Sequence, residues 1–288
     1  MELTKVYDRE FYGDQQIAYN SAKCILDLVS QWHKPRSVID IGCGLGTWLK
    51  VWQELDSSIK IVGLDGNDVE SDERYIPLDP YGRVDLTQDY TQSLLVASRL
   101  IAKQTGGGGG ETQRTDKPFE LAQSFEVAEH LYAQYAPNFI KLLTSLSDII
   151  LFSAAIPYQG GVHHVNEQPP AYWAELFAQN DYVCIDCIRS QIWNNESISF
   201  WYSQNILLFV HTSKAHLFDF PTTQTPLYLT HYKVWEERSK WLQSFIDAHE
   251  QRPFTTALKL IIKRVLKLCG LWDYAQKLRK IKSDSAHR

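Results

Sequence analysis

Over residues 36–212, short and mostly apolar runs alternate with longer stretches of helical periodicity. That alternation predicts a sheet of parallel strands with helices packed on it. The runs are Val38–Ile41, Lys60–Asp65, Gly82–Leu86, Phe119–Phe125, Asp148–Ala154, Tyr182–Ile188 and Ile206–Val210. Apolar residues on both faces of such runs mark strands covered on both sides. Helices are expected at Gln15–His33, capped by Gly13-Asp14 and stopped by Pro35, and at Thr47–Leu55, Glu129–Leu146 and Gln168–Gln179. The expected fold is α/β: a doubly wound, mostly parallel, seven-stranded Rossmann-like sheet with helices on both faces, plus a C-terminal helical extension.

Two stretches break the pattern. Thr105–Pro118 holds five consecutive glycines, Gly106–Gly110, among polar residues, and reads as a flexible loop inserted before the fourth strand. Beyond residue 212 the chain turns Pro/Thr-rich over Phe218–Thr230, then helical over Tyr232–His249 with Trp235 and Trp241. Ala257–Leu268 is a basic amphipathic helix, and Lys277–Lys282 adds more positive charge. The expected organisation is an N-terminal helical segment (1–35), a sheet domain (36–212) and a basic helical extension (213–288). The basic helix suits docking on the domain or a partner, or contact with an anionic membrane surface.

Composition narrows the function classes. With 288 residues, 44% of them hydrophobic, the chain can bury one large core. A net charge of −5 and a pI near 6.0 argue against non-specific nucleic-acid binding by the chain as a whole. No apolar run reaches the ~20 residues that span a bilayer, and Met1–Glu10 lacks the apolar core of a secretory signal. Five cysteines at irregular spacing suit a reducing compartment, so a cytoplasmic location is expected, with peripheral membrane contact as the variant. Cys184 and Cys187 have C-x-x-C spacing but fall in a predicted strand, which favours packed thiols over a redox or metal pair.

The chemistry gathers around Ser37–Trp48, S-V-I-D-I-G-C-G-L-G-T-W. A strand ending near Asp40, a turn with Gly42, Gly44 and Gly46, and a helix from Thr47 leave backbone N–H groups free in a cleft beside the sheet. A dinucleotide fingerprint needs a glycine where Thr47 stands, so the pattern is D-x-G-x-G-x-G instead. In this form, and with G-L-D-G at 63–66, V-D-L-T-Q at 84–88 and S-F-E-V-A-E-H-L at 124–131, the chain resembles class I S-adenosylmethionine-dependent methyltransferases over residues 36–212. The resemblance implies S-adenosylmethionine as cofactor. Asp40 and the three glycines would receive its amino-acid end, Asp65 its ribose hydroxyls, and Asp85 with the Leu86 N–H its adenine. Glu126 would line the same pocket.

The segment after the fourth strand supplies the candidate acceptor chemistry. Glu126, Glu129 and His130 share one face if they lie on a first helical turn. The stretch G-G-V-H-H-V-N-E-Q at 160–168 would bring His163 or His164 from the next loop. The E-x-x-E-H pattern with a later histidine resembles the cation site of small-RNA 2′-O-methyltransferases, and ubiquinone-pathway O-methyltransferases share its first part. It implies Glu126, Glu129, His130 and His164 as ligands of Mg²⁺ or Mn²⁺. Metal-free relatives also carry such a segment, and in that case His130, His163 and His164 are the candidate bases.

The stretch 155–176 and W-Y-S-Q-N at 201–205 resemble a bacterial subgroup of stand-alone methyltransferases associated with glycan and secondary-metabolite assembly. Tyr158, Tyr172, Trp173, Trp201 and Tyr202 would stack on a sugar or flat acceptor, or pack in the core. The preferred reading is O-methylation of a small-molecule or carbohydrate hydroxyl. An RNA 2′-O-methyltransferase and a non-catalytic S-adenosylmethionine-binding regulatory module are the alternatives. Nucleic acid is the less favoured partner because the sheet domain has no basic, aromatic stripe.

Overall fold

A computed structural model describes residues 15–67, 74–77, 79–104, 117–250 and 254–272. The Gly13-Asp14 cap, the glycine tract Gly106–Gly110 and the basic run Lys277–Lys282 lie outside the described residues. The elements run α1 (Gln15–Val29), β1 (Ser37–Ile41), α2 (Thr47–Leu55), β2 (Lys60–Asp65), β3 (Tyr81–Arg83), α3 (Tyr90–Gln104), β4 (Leu121–Phe125), α4 (Ala136–Leu146) and β5 (Ile149–Ser153). Then come α5 (Pro170–Ala178), β6 (Tyr182–Ile185), α6 (Arg189–Ile192), α7 (Phe200–Asn205), β7 (Leu207–His211), α8 (Tyr232–Glu250) and α9 (Phe254–Leu268).

The strands form one seven-stranded sheet in the order β3-β2-β1-β4-β5-β7-β6. Pairings among β3, β2, β1, β4 and β5 are parallel, while β7 runs antiparallel to both β5 and β6. Alternate side chains of each central strand feed different cores. Ile39, Ile150, Phe152 and Phe209 join α3, α4 and α5 on one face. Val38, Leu151, Leu208 and Val210 join α1 and α2 on the other. This two-sided burial explains why the central strands are mostly apolar rather than alternating with exposed polar residues.

Several boundaries moved for local reasons. The third strand ends at Arg83, not Leu86, because the Asp85 carboxylate accepts the Thr87 N–H and hydroxyl and turns the chain. The helix expected over Glu129–Leu146 starts only at Ala136. Before it stand two 3₁₀ turns, Ala128–His130 and Ala133–Tyr135. The Glu129 carbonyl, which would accept an amide one turn on in an α-helix, instead accepts the N–H groups of Val165 (2.9 Å) and Asn166 (3.0 Å). The helix α3 had no sequence expectation attached to it.

The compact sheet unit extends to Val234, past the change in composition near residue 212. Thr223 exchanges two backbone hydrogen bonds with Cys184 on the edge strand β6, and Phe220 packs edge-on to Trp32. Arg189, fully buried, donates to Asp186 and to the carbonyls of Gln204 and Leu227, pinning this return segment. Cys184 and Cys187 are free, buried thiols. Burial pushes Cys184 up strongly and Cys187 up to about 12, so neither is a reactive thiolate.

The second unit, Trp235 onward, contains most of α8 and all of α9. Gly270, at φ +69°, ends α9. The Gly270 N–H donates to the Lys267 carbonyl and the Leu271 N–H to the Leu266 carbonyl, the bonding of a Schellman cap.

Candidate functional site

The glycine turn after β1 is built as its residue types require. Gly42, Gly44 and Gly46 have φ of +79°, +51° and +81°, a region that side chains with a Cβ disfavour. A Cβ on Gly42 would stand 2.4 Å from Val127 Cγ2, so the turn also sits tight against the segment after β4. The Gly42 and Cys43 N–H groups both donate to the Leu64 carbonyl, and the Gly44 N–H donates to Asp65 Oδ2 at 2.7 Å. The other Asp65 oxygen accepts the Asn67 N–H at 2.8 Å. Burial raises the Asp65 carboxyl, and these amide bonds partly offset it.

Beside the turn opens a cavity of about 810 Å³ at the carboxyl ends of β1, β2 and β4. Gly42, Gly44, Asp65, Asp85 and Leu86 line one part of it; Glu126, His130, Trp201 and Tyr202 line another. Burial raises the Asp85 carboxyl, but its bonds from Thr87 and Gln88 together outweigh that and hold it below the usual carboxylate range. Gly46 stands back from the lining, where its missing Cβ makes room for Ile76.

Asp40, expected at the ligand, also lies outside the lining. Its Oδ2 accepts from Gln123 Nε2 at 3.0 Å, and Gln123 Oε1 accepts from Trp52 Nε1 at 2.9 Å, in a polar chain sealed under the turn. Burial lifts the Asp40 carboxyl to about 7.

After β4 the backbone does not place Glu126, Glu129 and His130 on one helical face. Glu126 has φ +53°, and its carboxylate turns toward amides: Asn205 Nδ2 at 3.1 and 3.2 Å, and Gln159 Nε2 at 3.2 Å. Glu129 is fully buried, and its carboxylate oxygens accept no hydrogen bond of ordinary geometry from the described residues. Burial and then the nearby Glu126 raise its carboxyl well above the usual range. One oxygen of Glu129 and one ring nitrogen each of His130 and His164 lie within 4.8 Å of one another.

The loop that supplies His164 is closed by Glu167. Its carboxylate accepts the N–H groups of Tyr158 (2.8 Å) and Gly160 (2.6 Å), and it bonds His164 Nδ1 at 2.9 Å. The His130 and His164 rings meet edge to face with centroids 4.9 Å apart. Burial, then His164, lowers His130 to about 4, which leaves it neutral with a lone pair available near pH 7. His163, by contrast, is exposed with φ +56° and stands outside both the cavity lining and this three-residue group.

The three donors are spaced as ligands of one cation could be. A buried carboxylate faces two imidazoles, a mixed donor set of the kind that binds Mn²⁺ or Mg²⁺. Glu126 is not among the three close donors, so the four-ligand set implied by the motif is reduced to Glu129, His130 and His164 at this separation.

The aromatic residues divide. Trp201 and Tyr202 line the cavity, whereas Trp173 is buried against Phe152 at 5.3 Å and belongs to the core. Tyr158 is 88% exposed and outside the lining. Gln15 and Ala18 of α1, Arg83 and the largely exposed Tyr132 also line the cavity, though no sequence motif marked them. Thr47 Oγ1 donates to Gln15 Oε1 at 2.6 Å, which holds α1 over the glycine turn. Only the apolar face of α1 was legible beforehand, not which of its polar residues met the turn.

A seven-stranded sheet ordered 3-2-1-4-5-7-6, with the seventh strand reversed, is the fold of class I S-adenosylmethionine-dependent methyltransferases. Solved structures similar to the chain include the magnesium protoporphyrin IX methyltransferase of Synechocystis PCC 6803 with bound S-adenosylhomocysteine. It is 15% identical, with 72% of this chain and 91% of that one covered and a TM-score of 0.44. DesVI of Streptomyces venezuelae is 12% identical, covering 73% and 98%, with a TM-score of 0.46. The methyltransferase domain of a bacterial Hen1, CtHen1-C, is 16% identical, covering 68% and 97%, with a TM-score of 0.41. No family model matches the chain, and no curated protein sequence matches it.

Proposed function

We propose that the protein is an S-adenosylmethionine-dependent methyltransferase that methylates a hydroxyl of a small molecule or carbohydrate, assisted by a divalent cation. One observation carries this reading: a single cavity joins the glycine turn, Asp65 and Asp85 to Glu126, His130 and two aromatic walls. The cofactor supplies a methyl group already activated by its positive sulfur.

The chain's own residues do the rest. The glycine turn admits the cofactor close to the backbone, Asp65 accepts from the ribose hydroxyls, and Asp85 with Leu86 holds the adenine edge. Asp40 supports the turn from below through Gln123 rather than touching the ligand. Trp201 and Tyr202 bound the acceptor, so that nucleophile and methyl are held in line at ~3 Å, which supplies much of the rate. Glu129, His130 and His164 would hold the cation, which lowers the proton cost of an alcohol nucleophile. His130, neutral near pH 7, is the base in the metal-free case.

Calorimetry with S-adenosylhomocysteine tests the cofactor half, and Asp65→Asn, which keeps an oxygen for the Gly44 N–H, should greatly weaken the measured heat, with the melting profile recorded alongside as the folding check. A labelled-methyl screen of sugar and phenolic acceptors, run with EDTA or with Mn²⁺, tests the other half. Binding without turnover on any hydroxyl, amine or carboxyl acceptor would instead indicate a regulatory binding module. Turnover indifferent to EDTA and to added cation would remove the metal from the reading.

A further inference from the structure

We infer that α9 is a docking surface for phospholipid membranes of net negative charge. At 100° per residue, Leu258, Ile261, Ile262, Val265 and Leu268 fall within an arc of about 120° along a helix about 22 Å long. All five are exposed, from 43% at Leu258 to 81% at Leu268. Soluble helices bury such a stripe, and among the described residues of its own unit this one stands exposed.

The charge on the helix selects the occupant. Residues 254–272 carry Lys259, Lys263, Arg264 and Lys267 and no Asp or Glu, although the chain as a whole has a net charge of −5. Lys259 and Arg264 project beside the two edges of the stripe, where long side chains can reach headgroups while the stripe enters the acyl boundary. Lys263 and Lys267 continue onto the far face, where Leu260 is the one apolar residue between the cations.

The aromatic residues agree. Past the Schellman cap, the Trp272 ring lies under Lys263 Nζ (5.2 Å) and Lys267 Nζ (6.0 Å), an indole beside cations at the helix end. In the same unit Trp241 and Phe245 of α8 stack at 5.9 Å, 61% and 50% exposed. Aromatic rings beside cations are a recurring composition of membrane-interface segments. No helix among the described residues is long and apolar enough to cross a bilayer, so the contact is one of lying on the surface.

The test is co-sedimentation of the full chain with phosphatidylcholine vesicles made with and without phosphatidylserine. Binding is expected only to the phosphatidylserine vesicles, and it should weaken as salt is raised. The double variant Lys259→Gln/Arg264→Gln should lower partitioning about thirtyfold, and Val265→Asp should reduce it to background. Helical circular dichroism and the melting of the sheet unit serve as folding checks. Should Val265→Asp lose helicity, the charge variant still decides the matter. Absence of binding, or equal binding to both vesicle types, overturns the inference. So does a dimer seen by light scattering that Val265→Asp dissociates without any vesicle binding, since the stripe would then serve a second copy of the chain.

Discussion

Replacing Gly42 by alanine sets a methyl group against the two halves of the site at once. The new Cβ would lie 2.4 Å from Cγ2 and 2.9 Å from Cγ1 of Val127, and valine has no spare rotamer into which to retreat. The backbone at φ +79° adds about 1–2 kcal/mol for a residue with a Cβ. Overpacking adds about 1–3 kcal/mol, and the stiffer unfolded chain returns about 0.4–1 kcal/mol. A net loss of about 2–4 kcal/mol is expected from the midpoint of urea unfolding followed by tryptophan fluorescence. Val127→Ala alone removes two methyls from a half-buried site and should cost about 1 kcal/mol.

The double variant then separates the two effects. With Val127 shortened to its Cβ, 3.2 Å from the new methyl, most of the clash is relieved and the backbone strain remains. The pair should therefore be less destabilised than the sum of the single variants by about 1–3 kcal/mol. Because Val127 follows Glu126 and precedes the Ala128–His130 turn, Gly42→Ala should also weaken S-adenosylhomocysteine binding, and Val127→Ala should restore part of it. Additive stabilities, or a Gly42→Ala variant within about 0.5 kcal/mol of the parent, would refute the packing argument.

Three further outcomes are expected. Asp40, raised to about 7 by burial, keeps a proton in the folded state that the unfolded chain releases near pH 4, so stability falls as pH rises between these values and is flat above them. The full effect is at most about 4 kcal/mol. Asp40→Asn, which preserves the oxygen that Gln123 donates to, should make that slope shallower in pH-resolved denaturation, leaving the share of the other raised carboxyls. Added Mn²⁺ should raise the melting temperature by an amount matching about 2.7 kcal/mol at a hundredfold excess over its dissociation constant. EDTA should reverse this and Glu129→Gln should abolish it; an unchanged melting temperature would argue against the cation. Asp186→Ala removes the counter-charge of the buried Arg189 and should cost about 3 kcal/mol, and a loss under about 1 kcal/mol in the same urea assay would mean the Gln204 and Leu227 carbonyls suffice.

Much of the architecture was legible in the chain itself, because local chemistry dictates it. A run such as Val38–Ile41, apolar on both faces, is stable only as a covered strand. Gly42, Gly44 and Gly46 mark a turn that other residues adopt only under strain. The acids at Asp65 and Asp85 were legible for the same reason, since each follows a strand at the sheet edge where ligands bind.

What only the tertiary structure decided involves partners far apart in sequence. The Glu129 carbonyl bonds Val165 and Asn166, and that contact replaces the expected helix and carries His164, rather than His163, to the acid cluster. Asn205 and Gln159 capture Glu126, Gln123 withdraws Asp40 from the cavity, and α1 closes over the turn through Gln15. Such polar pairings leave no period in a sequence, because a buried amide is satisfied by whichever donor or acceptor the fold brings near.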